Sequence, residues 1–358
     1  MTGRTSWTAA ELMAEDFPPT RWAVPGLLCE GLNVIVSPPK VGKSWFALNL
    51  AVAVASGGVA LGKVQVDQGS VLYAALEDTG KRLQDRLGKI LRGDTAPAAL
   101  TFTVQCEPIP NGGAERIATW LEAHPDARLV IIDVFAKVRG STGRDTDAYT
   151  ADYAAVTALK TLADRFGVSF LVVHHTRKQA AEDFLDAVSG TAGIAGAADA
   201  VLVLSRARNT SEAKLSITGR DVEEAEYALA FDPTIGTWTL LDVPAYTVNL
   251  TNERRKILAA IAEAPGLTPK VIAEQTGLSH DVVKQLVRKM VDAGQLDTDG
   301  DGHYLEPHSP VHSVHPFTSD GERGERSECV ACSRALLTAE GKRLGMCAEC
   351  RINAEAAS

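Results

Sequence analysis

Two stretches of this chain hold residues whose types and spacing suit chemistry. Ser37-Pro38-Pro39-Lys40-Val41-Gly42-Lys43-Ser44 sets a glycine, a lysine and a hydroxyl directly ahead of an apolar run that begins at Trp45. Between a strand and a helix, such a segment cradles phosphate: backbone N–H groups and the helix N-terminus hold anionic oxygens. Lys43 then reaches the outer phosphates, and Ser44 is a magnesium ligand. Ser37 stands where the pattern GxxxxGK[ST] has its first glycine. Near the other end, Cys329-x₂-Cys332 and Cys347-x₂-Cys350 supply four thiolates spaced for tetrahedral zinc. That segment has too little apolar content to fold unaided.

Hydrolysis needs more than a cradle. Leu129–Asp133 (LVIID) is an apolar stretch ending in a carboxylate, suited to hold magnesium with Ser44. Ala75-Leu76-Glu77-Asp78 ends another such stretch; Glu77 is the candidate base that orients water, and Asp78 is expected to cap the next helix. Val172-Val173-His174-His175 brings two histidines to a strand end, where parallel sheets bind ligands. Neighbouring strand residues face opposite ways, and His175 is the one expected to sense phosphate. Arg220 closes Lys214–Arg220 (KLSITGR) and is placed as a finger toward a neighbouring subunit, with Arg206 and Arg208 as alternatives.

Residues 30–250 alternate Val/Ile/Leu runs with helical patterns, which implies an α/β fold with a mostly parallel sheet covered on both faces. Expected strands are 32–36, 70–75, 129–133, 169–174, 200–204 and 214–218, with 227–231 and 237–241 as an antiparallel extension. Helices are expected over 43–55, 79–91, 114–123 and 147–165. Residues 251–306 then read helix, helix, turn, helix, hairpin, the order of a winged helix. Residues 307–327 read as a flexible linker and 328–358 as a zinc ribbon, which leaves 1–250 as one large domain.

The chain has 358 residues, 45% of them hydrophobic, with 36 basic and 45 acidic side chains. This excludes a largely disordered chain and a disulfide-stapled miniprotein. The net charge of −9 divides as −6 over 1–250, −2 over 251–306 and −1 over 307–358, so no segment is a basic arm. Any nucleic-acid contact must come from a few placed residues. The N-terminus lacks a secretory pattern, and the apolar run from Trp45 is interrupted by Asn49, Ser56, Gly57 and Gly58. A cytoplasmic protein with no membrane partner is expected.

VSPPKVGKSWFALNLA, ALEDT, LVIIDVFAKV, VVHHTRK, SGTAGIAGAADAVLVLSR and ITGRDVEE, in this order over roughly residues 20–242, resemble the RecA-like AAA family ATPases. Within them the likeness is to RepA-like hexameric replicative helicases of phages, plasmids and integrative elements. The resemblance implies a RecA-like core, ATP and Mg²⁺ as cofactors, and a homo-hexamer acting on single-stranded DNA. A primase or polymerase is the implied protein partner, and a serine at position 37 is ordinary in the family. Lys43, Ser44, Glu77, Asp133 and His175 take the roles given above; Arg220 is placed by position only.

Such rings bind single strands through two channel loops. Here these would be 136–147, with Lys137, Arg139 and Arg144, and 176–193, with Arg177 and Lys178. In the winged helix, Lys284, Arg288 and Lys289 decorate the third helix, while Val282, Val283, Leu286, Val287 and Met290 are expected on its buried side. The wing carries Asp297, Asp299 and Asp301, which repel phosphate, so DNA reading and protein docking both stay open. A nucleotide-switched DNA-binding regulator or recombination mediator, or an adaptor recruiting replication proteins, remains the alternative to a motor.

Overall fold

The computed structural model describes residues 6–140, 148–175, 194, 196–207, 210–248, 250–307 and 350, leaving aside the side chains of 148 and 149. The roles expected of Arg144, Arg177, Lys178, Arg208, Cys329, Cys332 and Cys347 lie outside the described residues, as does most of the expected ribbon.

Helix α1 (Ala9–Ala14) starts at a capping box in which Thr8 and Glu11 each accept the other's backbone N–H. A short antiparallel pair, β1 (Trp22–Val24) and β2 (Leu28–Cys29), leads into β3 (Gly31–Ser37), buried along its whole length. In α2 (Lys43–Ser56) every residue except Ser44 and Trp45 is buried, and Gly57 ends it with φ 62. The apolar run is therefore a core helix. Among the described residues no helix is long and apolar enough to cross a membrane.

A second small pair, β4 (Val59–Ala60) and β5 (Val64–Gln65), precedes a run of alternating elements. These are β6 (Ser70–Ala75), α3 (Gly80–Leu91), β7 (Leu100–Thr103), α4 (Gly113–Ala123), β8 (Ala127–Asp133), α5 (Ala148–Phe166) and β9 (Ser169–His175). Strands β10 (Ala200–Arg206), β11 (Glu212–Gly219), β12 (Ala225–Asp232) and β13 (Thr237–Leu240) complete the sheet. Its order is β13-β12-β11-β10-β3-β9-β8-β6-β7. The pairs from β10 through β7 are parallel, and β10 to β13 add antiparallel strands at one edge. The mixed, mostly parallel α/β sheet is thus the one expected.

Alternation along the strands builds two cores. Ile35, Tyr73, Ile131 and Val173 join α2 and α3 on one face, while Val34, Leu72, Val130 and Val172 join α4 and α5 on the other. Because both faces are covered, the central strands lack polar alternation. Edge strand β7, half-buried throughout, was not anticipated. Registers set Ser37 beside His175, Asp133 beside Val173 and Ala75 beside Asp133, so the carboxyl ends of β3, β6, β8 and β9 lie level.

A third core gathers α6 (Asn252–Glu263), α7 (Pro269–Thr276), α8 (His280–Asp292) and the hairpin β14 (Asp297–Thr298) and β15 (Tyr304–Leu305). Val283, Val287 and Met290 form the buried stripe of α8, but Val282 is 41% exposed. One residue turns the helix by about 100°, which takes Val282 off that stripe and corrects the expectation. Arg255 of α6 pairs with Glu212 of β11 at 2.9 Å.

Candidate nucleotide site

The phosphate loop closes on itself through Lys43. Its ammonium, 4% exposed, donates to the Ser37 carbonyl at 2.8 Å, the Ser37 hydroxyl at 2.9 Å and the Pro38 carbonyl at 3.1 Å. Ser37, at the place of the first glycine, therefore offers the lysine an acceptor that glycine lacks. Burial pulls the Lys43 ammonium down to about 8, opposed by the carboxylates of Asp133 and Glu77. Gly42 has φ +114, and a Cβ there would stand 2.9 Å from the Trp238 ring. No other residue type fits both demands.

Trp238 and Asn49 brace the loop from behind. The Trp238 indole N–H donates to the Gly42 carbonyl at 3.2 Å. The Asn49 amide donates to the carbonyls of Trp45 and Gly236 at 2.7 and 2.8 Å. Trp45 turns its ring to the β12–β13 turn, where a Cβ on Gly236 would meet it at 2.1 Å, and the Arg86 guanidinium lies 5.4 Å above that ring.

Asp133 ends β8 beneath the loop. The Tyr73 hydroxyl donates to its Oδ2 at 2.8 Å, whereas Oδ1 is buried with no hydrogen-bond partner among the described residues. Burial raises the Asp133 carboxyl, with the nearby Ser44 and Tyr73 hydroxyls opposing it. An orphaned carboxylate oxygen beside Ser44 is an oxygen donor set of the kind magnesium takes, and the residues present fit the ion.

Glu77 follows β6 with its side chain half exposed, and its Oε2 lies 3.9 Å from His175 Nε2. His175 shares the α2 face with Val173, and its Nδ1 is buried without a partner among the described residues. Burial and the Lys43 charge hold His175 below its usual range, against the pull of Glu77. His174 points to the opposite face, edge-on to Phe135 at 6.2 Å, and burial drives it down to about 4.

Asp78 does not cap α3; Thr79 does, accepting from the Arg82 N–H at 3.3 Å. The helix begins one residue later than expected, which frees the Asp78 carboxylate to hold Arg82 at 3.0 Å and to pair with Arg86 as well. Arg82 also donates to the Glu77 carbonyl at 3.0 Å and so ties down the backbone beneath Glu77.

Lys43, Ser44, Asp133, Glu77 and His175 thus meet at one sheet edge, and Arg220 does not. It follows Gly219, which pairs with Ala200 at the far end of β10, and it contacts the Gly196 carbonyl at 3.4 Å. Arg206 instead ends β10 on the loop side, over Phe231 at 5.0 Å and against the Lys40 carbonyl at 3.4 Å. Lys137 is exposed, while Arg139 leans on Asp152 at 3.5 Å. Lys284 and Arg288, four residues apart on α8, are both exposed. Tyr73, Asn49 and Trp238 were not anticipated. The one local signal was a tyrosine inside the otherwise small and aliphatic SVLYAA.

Known proteins share parts of this architecture. A family described as winged helix-turn-helix DNA-binding matches residues 254–296. Among solved structures the chain is similar to an isolated ATPase domain at 16% identity, covering 60% of this chain and 85% of that one, with a TM-score of 0.48. It is also similar to a DnaB-like replicative helicase, from a structure of that helicase and its interactions with primase. There the identity is 16% and the TM-score 0.49, over 60% of this chain and 58% of that one. Curated proteins yield no match. A family described as AAA domain matches residues 2–181, half of the 358-residue chain and the half that carries the whole strand-edge cluster; the protein belongs to that family.

Proposed function

We propose that the chain is an ATP-hydrolysing motor that forms a homo-hexameric ring on single-stranded DNA, a RepA-like DNA helicase of replication. The convergence of Lys43, Ser44, Asp133, Glu77 and His175 at the carboxyl edge of the sheet carries this reading. Loop residues 37–45 and the Lys43 ammonium bind the phosphates. Ser44 and Asp133 hold Mg²⁺, which when bound neutralises charge building on the transferred phosphoryl group. Glu77 orients the attacking water and takes its proton. His175, within reach of Glu77 and facing Lys43, reports the state of the phosphate to the segment after β9.

In this reading residues 1–250 are the motor, 251–306 the winged helix, 307–327 a linker and 328–358 a ribbon holding Zn²⁺ through Cys329, Cys332, Cys347 and Cys350. Lys137, Arg139, Arg144, Arg177 and Lys178 line the channel, and Lys284 and Arg288 give α8 a second DNA contact. A primase or polymerase docks on the appendages, and the assembly works in the cytoplasm. The test measures ATPase activity with and without single-stranded DNA, and oligomer mass in the same sample. Stimulated turnover by a ring supports the motor; a monomer with DNA-insensitive turnover overturns it.

The winged helix-turn-helix match favours one other reading, a nucleotide-switched DNA-binding regulator that does not unwind. A forked duplex separates the two, because only the motor releases a strand.

A further inference from the structure

Strand β6 reads SVLYAA, and its tyrosine is fully buried in a core where phenylalanine would pack as well. The Tyr73 ring rests against Phe102 at 5.6 Å. A buried hydroxyl is costly unless it is paired, so this one points to a task. It lies 2.8 Å from Asp133 Oδ2 and 3.3 Å from the Ser44 carbonyl, and it has one proton to give. The shorter contact, to a carboxylate, takes that proton. The Ser44 carbonyl is engaged within α2. Oδ2 is thereby occupied, and Oδ1 is left buried and unpartnered among the described residues, beside the loop.

We propose that Tyr73 is a positioning residue for the magnesium site: its hydroxyl fixes the Asp133 carboxylate so that Oδ1 is the oxygen presented to the ion. A carboxylate on a strand end otherwise has a freely turning terminal torsion, and either oxygen can face the site. The phenol is anchored by strand register, with Tyr73 paired to Ile131 two residues before Asp133, so rotating the carboxylate breaks a buried hydrogen bond. Supporting groups of this kind orient metal ligands and change metal affinity when they are lost. The inference rests on the ATPase reading above.

The experiment titrates Mg²⁺ into the full-length chain with a fluorescent ATP analogue, read by fluorescence rather than turnover, and repeats nucleotide binding in EDTA. Tyr73→Phe is expected to raise the Mg²⁺ midpoint about tenfold while leaving affinity in EDTA unchanged. In an Asp133→Asn background the same substitution is expected to add nothing. Phe102→Leu, which keeps the hydroxyl but trims its packing partner, lowers the Tm without moving the midpoint. An unchanged midpoint in Tyr73→Phe, an equal loss with and without Mg²⁺, or an equal shift in Phe102→Leu overturns the proposal. Failure of the unmodified chain to bind Mg²⁺ and nucleotide together instead overturns the ATPase reading beneath it.

Discussion

Asn49 and Trp238, 189 residues apart in the chain, are joined by a hydrogen bond from the Trp238 backbone N–H to the Asn49 side-chain oxygen at 3.2 Å. With its amide group on the Trp45 and Gly236 carbonyls, Asn49 spends its whole side chain fastening α2 to the β12–β13 turn. Asn49→Ala leaves the Trp238 N–H and the Gly236 carbonyl buried without partners. A loss of about 2–4 kcal/mol in urea unfolding is expected. A loss below half of that range means the turn relaxes onto the helix without it.

Binding and turnover separate at Lys43 and Glu77. Lys43 lies inside the loop, so Lys43→Ala is expected to abolish nucleotide binding in a fluorescence titration. Glu77 follows the strand and leaves the loop untouched. Glu77→Gln is expected to bind nucleotide normally and to lose at least about a hundredfold in kcat. Parallel loss of affinity in Glu77→Gln would remove it from the role of base.

The central strands and helices were legible because their signals are local. Runs such as LNVIV and LVIID bury both faces, and Gly42-Lys43-Ser44 opens a helix directly after one of them. What escaped depends on partners far away in sequence. Trp238 reaches Gly42 across 196 residues, and Tyr73 reaches Asp133 across 60, so neither periodicity nor motif announces them. Edge strand β7 lacks the buried pattern that marks its neighbours. Asp78 looks like a cap by residue type, yet two arginines on α3 compete for it and Thr79 takes the cap.

His174 makes stability fall in acid. Its imidazole is held neutral by burial, with His175, Lys43 and Arg139 adding to the effect, and its value drops from 6.5 to about 4. Between those values the unfolded chain binds a proton that the folded chain refuses. The stabilisation is full above about pH 6.5 and drains away as pH falls toward 4, by on the order of 3 kcal/mol. His174→Gln is expected to flatten the Tm profile over that window. An unaltered profile would show that His174 takes up its proton in the folded state.

Metal analysis tests the ribbon separately. About one equivalent of zinc per chain is expected, lost in Cys332→Ser together with protection of the tail from protease. Retention of zinc in that variant would assign the metal elsewhere.

Arg220 and the phosphate loop occupy opposite edges of the same sheet. Gly219 pairs with Ala200, and Ala200 pairs with Asn33 near the start of β3, whereas the loop leaves β3 at Ser37. The intervening strand is about 20 Å long, too far for the side chain to reach its own site. If Arg220 acts on nucleotide, it does so across an interface onto a neighbour. Lys43→Ala and Arg220→Ala should each be inactive alone and complement one another when mixed. A mixed interface can pair an intact loop from one variant with an intact arginine from the other, restoring roughly a quarter of sites in a random ring of equal parts. Arg206, which touches Lys40 of its own chain, predicts the opposite, because an Arg206→Ala defect stays with the loop that carries it. Recovery of ATPase activity on mixing with Lys43→Ala therefore identifies Arg220 as the finger. Absence of recovery, with ring mass unchanged, removes it.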